Sequence, residues 1–251
     1  MIRIATDSDF PQAVDCECAL RICALNRAYG CANSFLRFYT DGEGSMLSLM
    51  DGVGVLYCPN GVNEEWIVYL AMNPEIHTIH CSGQNAKAIL SAGMWSATNG
   101  VVMKYDGGSV QEPQGICTDP YLPTVYELLK EHFAGIPSFD AWYPDASHRV
   151  RHQLCHVASI IDGDKVVSSA MTVAESEDAA LLGQVVTHPG YRRRGMAAKC
   201  LKSLMFRCKA KTLYILPVDN YAQQLYEKLG FSVCSDWAEL KKLREGALDN
   251  E

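Results

Sequence analysis

The stretch from Leu181 to Leu216 constrains the fold more than any other. Leu181–Thr187 is a β-rich run, and Pro189-Gly190 forces a turn after it. Met196, Cys200, Leu201, Leu204, Met205 and Cys208 then recur at helical spacing, and Leu213–Leu216 is a short strand. A crossover helix between two strands belongs to a layered α/β structure.

The pattern continues on both sides. Upstream, a helix opens at Pro123 or Thr124, carries Val125, Leu128, Leu129 and Phe133 on one face, and stops at Gly135. A second helical segment runs near Ala141–Gln153. Leu154–Ile161 and Val166–Val173 are β-rich runs joined at Asp162-Gly163, a dipeptide suited to the positive φ angles of a tight hairpin. Glu175, Glu177 and Asp178 read as a solvated turn. Downstream, Ala222, Leu225, Tyr226 and Leu229 mark a helix ended by Gly230, where a left-handed residue is wanted. Phe231–Val233 starts a last strand. The order α-α-β-β-β-α-β-α-β predicts an α/β class with an α+β mixed sheet.

The first half is expected to be a smaller α/β unit. Asp7–Tyr29 reads as helical apart from Pro11, and Gln84–Leu90 as a second helix. Strand-like runs occur at Met46–Met50, Val53–Cys58, Trp66–Met72, Ile76–Cys81 and Val101–Tyr105. Gly108–Pro123, with three prolines, is the linker candidate, which places domains at 1–118 and 119–251. Charge separates the halves too. Residues 1–119 hold 6 Lys+Arg and 13 Asp+Glu, while residues 120–251 hold 16 of each, so the whole net charge of −7 belongs to the first half. That balance argues against nucleic-acid binding by the whole chain and suits a cationic amine.

Eleven cysteines lie scattered without a framework, and the first residues lack an export signal. No apolar run approaches the roughly 18 residues of a membrane helix. We therefore expect free thiols, a cytoplasmic location, no membrane partner, and a monomer or homodimer. Cys16, Cys18, Cys23 and Cys31 match no usual zinc spacing. His148, His152 and His156 are spaced by four, but a strand starting between the last two works against a shared metal face. No metal is expected.

Chemistry concentrates in Val185-Val186-Thr187-His188-Pro189-Gly190-Tyr191-Arg192-Arg193-Arg194-Gly195-Met196-Ala197. The first turn of a helix exposes unpaired N–H groups and the positive end of its dipole. Gly195 and Ala197 keep side chains away, so a pyrophosphate can approach, and three arginines add charge. The alternative is a helix that merely begins with a basic cluster. The eight basic residues from Arg192 to Lys211 read as a solvated helix face, since Lys199, Lys202 and Arg207 point in several directions.

Arg192-Arg193-Arg194-Gly195-Met196-Ala197 resembles the Q/R-x-x-G-x-G/A signature of the GNAT superfamily of N-acetyltransferases. Asn220-Tyr221-Ala222-Gln223-Gln224-Leu225-Tyr226-Glu227-Lys228-Leu229-Gly230-Phe231 resembles the family's second signature, N-x-x-A-x-x-L-Y-x-x-x-G-F, position for position from Ala222 on, with Asn220 one residue closer to the alanine than the signature's asparagine. The resemblance covers roughly residues 120–245. It implies a GNAT-like acyl-CoA N-acyltransferase fold and acetyl-CoA as donor to a small-molecule or peptide amine. Val185, Val186 and Thr187 would pair with the pantetheine arm, and an N–H there would polarise the thioester carbonyl. Arg192, Arg193, Arg194, Gly195, Met196 and Ala197 would cradle the pyrophosphate, and Asn220 would contact the cofactor. Tyr226 would protonate the leaving thiolate; its other reading is a core tyrosine beside Leu225 and Leu229. Many relatives carry a carboxylate on the strand before the first motif, but Leu181–Val186 has none, so no base is assigned. A non-catalytic acyl-CoA sensor is the rival reading. The first half has no such motif and resembles the degenerate partner of tandem GNAT proteins.

Overall fold

The computed structural model describes residues 1–105 and 107–243. Two compact units emerge: Met1–Val102 with the described residues from Cys234 on, and Met103–Val233. The proline-rich stretch at 108–123 lies inside the second unit.

In the first unit, β1 (Arg3–Ile4) and a 3₁₀ turn at Asp7–Asp9 precede α1 (Glu17–Tyr29). Three antiparallel strands follow, β2 (Leu36–Thr40), β3 (Met46–Met50) and β4 (Val53–Tyr57). Then come α2 (Glu64–Met72), β5 (Thr78–Ser82), α3 (Gly83–Leu90) and β6 (Trp95–Tyr105). β5 lies parallel to β4. Trp66–Met72, expected as a strand, is helix. Asn63 caps it by accepting from the Trp66 amide at 3.0 Å, and Trp66 and Leu70, four residues apart, are buried on one face. The expected helix over Asp7–Tyr29 forms only from Glu17, because Pro11 interrupts its start. Trp66, Leu70, Ile76, Ile79 and Ile89 fill one core cluster, and Phe10, Ile22, Leu36 and Phe38 a second.

The second unit repeats that order. α4 (Leu122–His132) and α5 (Phe139–Arg151) lead into three antiparallel strands, β7 (Val157–Asp162), β8 (Lys165–Glu175) and β9 (Ala179–Thr187). α6 (Met196–Arg207) crosses over to β10 (Thr212–Ile215), which lies parallel to β9. α7 (Asn220–Lys228) and β11 (Phe231–Lys242) close the order. β8 is buried almost continuously from Val166 to Glu175, the pattern of a strand covered on both faces. α6 packs on β7, β8 and β9 with Leu201, Leu204 and Met205 buried, at roughly 1.5–3 kcal/mol for each such side chain.

The last strand of each repeat crosses a unit boundary: β11 belongs to the first unit from Cys234 on, and the end of β6 belongs to the second from Met103 on. β11 pairs with β5, matching Ala238 to Cys81, and the end of β6 pairs with β10, matching Lys104 to Tyr214. A chain segment far away in sequence thereby completes each sheet.

Candidate active site

β9 and β10 pair only from Thr212↔Ala179 to Ile215↔Leu182, yet β9 runs on to Thr187. Over Gly183–Thr187 the edge once facing β10 has no strand partner among the described residues. The cause is local. The register against β8 shifts between Ser169 and Met171, and Gln184 takes a left-handed φ of 47°, so β9 bulges and turns away. Gly183 is required there, because a Cβ would lie 2.9 Å from Val173 Cγ1. Trp142 of α5 holds the bulge, its Nε1–H donating to Gln184 Oε1 at 3.2 Å. Nothing in the sequence pairs Trp142 with Gln184; the break of the apolar run at Gly183-Gln184 was the one visible sign.

Beyond the bulge, Val186 and Thr187 are fastened to β8. Ser168 Oγ donates to the Val186 carbonyl at 3.2 Å and lies 2.8 Å from Thr187 Oγ1. The chain then turns through Pro189–Tyr191, where His188 Nδ1 accepts from the Gly190 amide. Arg193 and Gly195 both have positive φ, 65° and 74°, and Gly195 is the N-cap of α6. Gly195 offers no side chain, so the first-turn amides of α6 lack a side-chain cap. The positive φ, rather than crowding, selects glycine, since a Cβ there would meet nothing within 4 Å.

Arg192, Arg193 and Arg194 are exposed at this turn. Arg192 Nε donates to the Thr187 carbonyl at 3.1 Å and staples the turn to the end of β9. Arg194 sits over the Tyr191 ring at 5.3 Å, and Tyr191 in turn donates to Asp162 at 2.6 Å. Two of the three arginines therefore help shape the turn as well as charge it. Met196 and Ala197 open the helix half-buried.

Asn220 is exposed at the first position of α7, where Asp219 caps the helix by accepting from the Ala222 amide at 2.8 Å. Tyr226 is buried on that helix, and its hydroxyl makes no hydrogen bond to a described residue. Burial, then the charge of Asp219, pushes its acidity well below that of a free phenol.

Glu175 is not on a solvated tip. Glu177 and Asp178 are exposed, but Glu175 is 4% exposed. Lys211 Nζ and His156 Nδ1 lie 2.8 and 2.9 Å from its two oxygens. Burial alone would raise its pKa; the hydrogen bonds from His156 and Lys211 outweigh that and bring it to about 2. It opposes Ala180 at the start of β9, away from the bulge, and so stands apart from the open edge. His148 and His152 do share a helix end, their rings 4.5 Å apart, while His156 lies beyond it beside Glu175.

Residues 122–231 match the family model for the acetyltransferase (GNAT) family. They form a GNAT domain. A UPF0039 protein of Schizosaccharomyces pombe is 30% identical over 76 residues, 29% of this chain and 51% of that protein. The chain thus spans about half the length of this curated relative. A GNAT-family acetyltransferase from Colwellia psychrerythraea aligns over 97% of this chain and 100% of its own, with 11% identity and a TM-score of 0.59. A GCN5-related N-acetyltransferase from Sphaerobacter thermophilus aligns over 98% and 96%, with 17% identity and a TM-score of 0.58. At such identities these two establish likeness of fold. No helix among the described residues is long and apolar enough to cross a membrane.

Proposed function

We propose that the protein is an N-acetyltransferase that moves the acetyl group of acetyl-CoA directly to a primary amine of a small molecule or peptide. The observation that carries this reading is the open edge of β9 running into an uncapped helix N-terminus. The residues fit such a cosubstrate: the space beside Gly195 is clear, and no side chain caps the first turn of α6.

Acetyl-CoA supplies the activated thioester. Val185, Val186 and Thr187 offer backbone groups for its pantetheine arm, and an N–H there stabilises charge on the thioester oxygen. Arg192, Arg193, Arg194, Gly195, Met196 and Ala197 hold the diphosphate, and Asn220 contacts the cofactor from the start of α7. Tyr226 donates its proton to the departing sulfur, since a phenol is protonated at neutral pH and can serve as donor. With no carboxylate on β9, no residue is assigned as the base that takes the proton of the amine. The eleven free cysteines suit a reducing, cytoplasmic compartment.

Residues 1–118 act as a degenerate partner that does not hold coenzyme A. The helix after its third antiparallel strand, α2, starts with Asn63 as cap and with Glu64 and Glu65 in its first turn, which repel a diphosphate. Coenzyme A release measured with a panel of amines tests the main reading. Turnover of an amine supports it. Tight acetyl-CoA binding without turnover across the panel would make the domain a sensor, the reading that the missing carboxylate favours.

A further inference from the structure

The C-terminal end of α6, about 18 Å along the helix from Gly195, borders a second feature of the GNAT-domain unit. A cavity of about 450 Å³ is lined there by Thr118, Asp119, Gln153, His156 and Arg207 among others. That volume falls within the range of small-molecule sites, about 300–1,000 Å³. The lining is polar, and its charges are opposite. Asp119, Arg207, Gln153 and Thr118 make no side-chain hydrogen bond or ion pair with any described residue. Asp119 and Arg207 thus border one cavity without neutralising each other. Gln153 holds a left-handed backbone with φ 58°, an uncommon state for a side-chain-bearing residue.

His156 connects the cavity to the buried charges behind it. Its Nδ1 is 2.9 Å from Glu175, which also accepts from Thr172 and Lys211. The ligand atoms of His156, Glu175 and Cys208 lie within 4.8 Å of one another, but the Lys211 ammonium already occupies that charge, so a metal ion would have to displace it.

We propose that this cavity binds a small zwitterion of the α-amino-acid class. Arg207 and the Thr118 hydroxyl take its carboxylate, while Asp119 takes its ammonium. Isothermal titration of the full chain with a set of α-amino acids tests this, with acetate and methylammonium as single-charge probes. One or more amino acids should bind, and each single-charge probe should bind at least about tenfold more weakly, since each charged contact is worth about 1.5–3 kcal/mol. Asp119→Asn and Arg207→Gln should each weaken amino-acid binding at least about tenfold. Both positions are exposed, so melting temperature and acetyl-CoA affinity should stay unchanged. The proposal falls if no amino acid binds, if acetate or methylammonium binds as well, or if both variants retain full affinity. Acetyl-CoA binding is read separately, so the proposed acetyl transfer stands or falls on its own.

Discussion

In the proposed reaction, Tyr226, Gln184 and Gly195 each contribute one property: a protonated hydroxyl, a bent strand and an open helix end. Tyr226→Phe keeps the ring against Phe231, 6.4 Å away between centroids, and removes only the hydroxyl. Turnover should fall about a hundredfold, with acetyl-CoA affinity within about twofold of the parent, as steady-state kinetics and calorimetry would record. Trp142→Phe removes the N–H that holds Gln184 while keeping an aromatic ring beside Tyr126. The bulge loses an anchor worth about 1 kcal/mol, so acetyl-CoA should bind roughly fivefold more weakly; affinity unchanged from the parent would show that β9 stays open without it. Gly195→Glu forces a side chain onto a φ of 74° and sets a negative charge at the helix end. Binding of coenzyme A should be lost, and if the glutamate variant still bound it normally, the diphosphate would have to sit elsewhere.

At the scale of elements, the buried carboxylates act as ties. Glu175 joins the end of β8 to the residue before β7 and to Lys211 ahead of β10. In the other unit, Glu17 of α1 is buried and lies 2.6 Å from both His80 of β5 and Arg21. There too burial alone would raise the carboxyl pKa, but Arg21 and His80 bring it to about 2. A pKa held below its unfolded value gives stability that is present above the ordinary carboxylate range and is lost as pH falls towards the folded value. The melting temperature should therefore drop between about pH 4.5 and about pH 2, with both ties contributing. Lys211→Met leaves Glu175 buried with a weaker counter-charge and should cost about 3 kcal/mol at neutral pH, measurable by urea denaturation. A loss below about 0.5 kcal/mol would mean that His156 alone suffices.

Across the whole molecule, one order of elements occurs twice: helix, three antiparallel strands, helix, parallel strand, helix, strand. The exchanged final strands make the two copies depend on each other's sequence. A fragment of residues 1–118 lacks β11 and leaves the β5 edge without its partner; a fragment of residues 119–251 lacks β6 beside β10. Neither fragment alone should show a cooperative melting transition by circular dichroism, and co-expression of the two should restore one. Two independent transitions from the separate fragments would show that the exchange is dispensable. The asymmetry between the copies is electrostatic: Asn63 and two glutamates close one helix end, while glycine and three arginines leave the other open to an anion.

The sequence by itself determined the elements of the second half and the turn that opens α6 at Gly195, because helical spacing, the Pro189-Gly190 turn and the two motifs are all local patterns within a few turns of chain. It also exposed the helix that carries Tyr226. The tertiary structure alone decided the rest. Trp66–Met72 is apolar enough for a strand, and its helix became definite only through the Asn63 cap and packing on the sheet. Glu175 looks like any acidic residue of a turn until Lys211 and His156, 36 and 19 residues away, fold onto it. The Gln184 bulge needs Trp142, and the completion of each sheet needs a strand from the other repeat. Contacts made across such separations leave no periodic trace in the chain, whereas caps, turns and helix faces do.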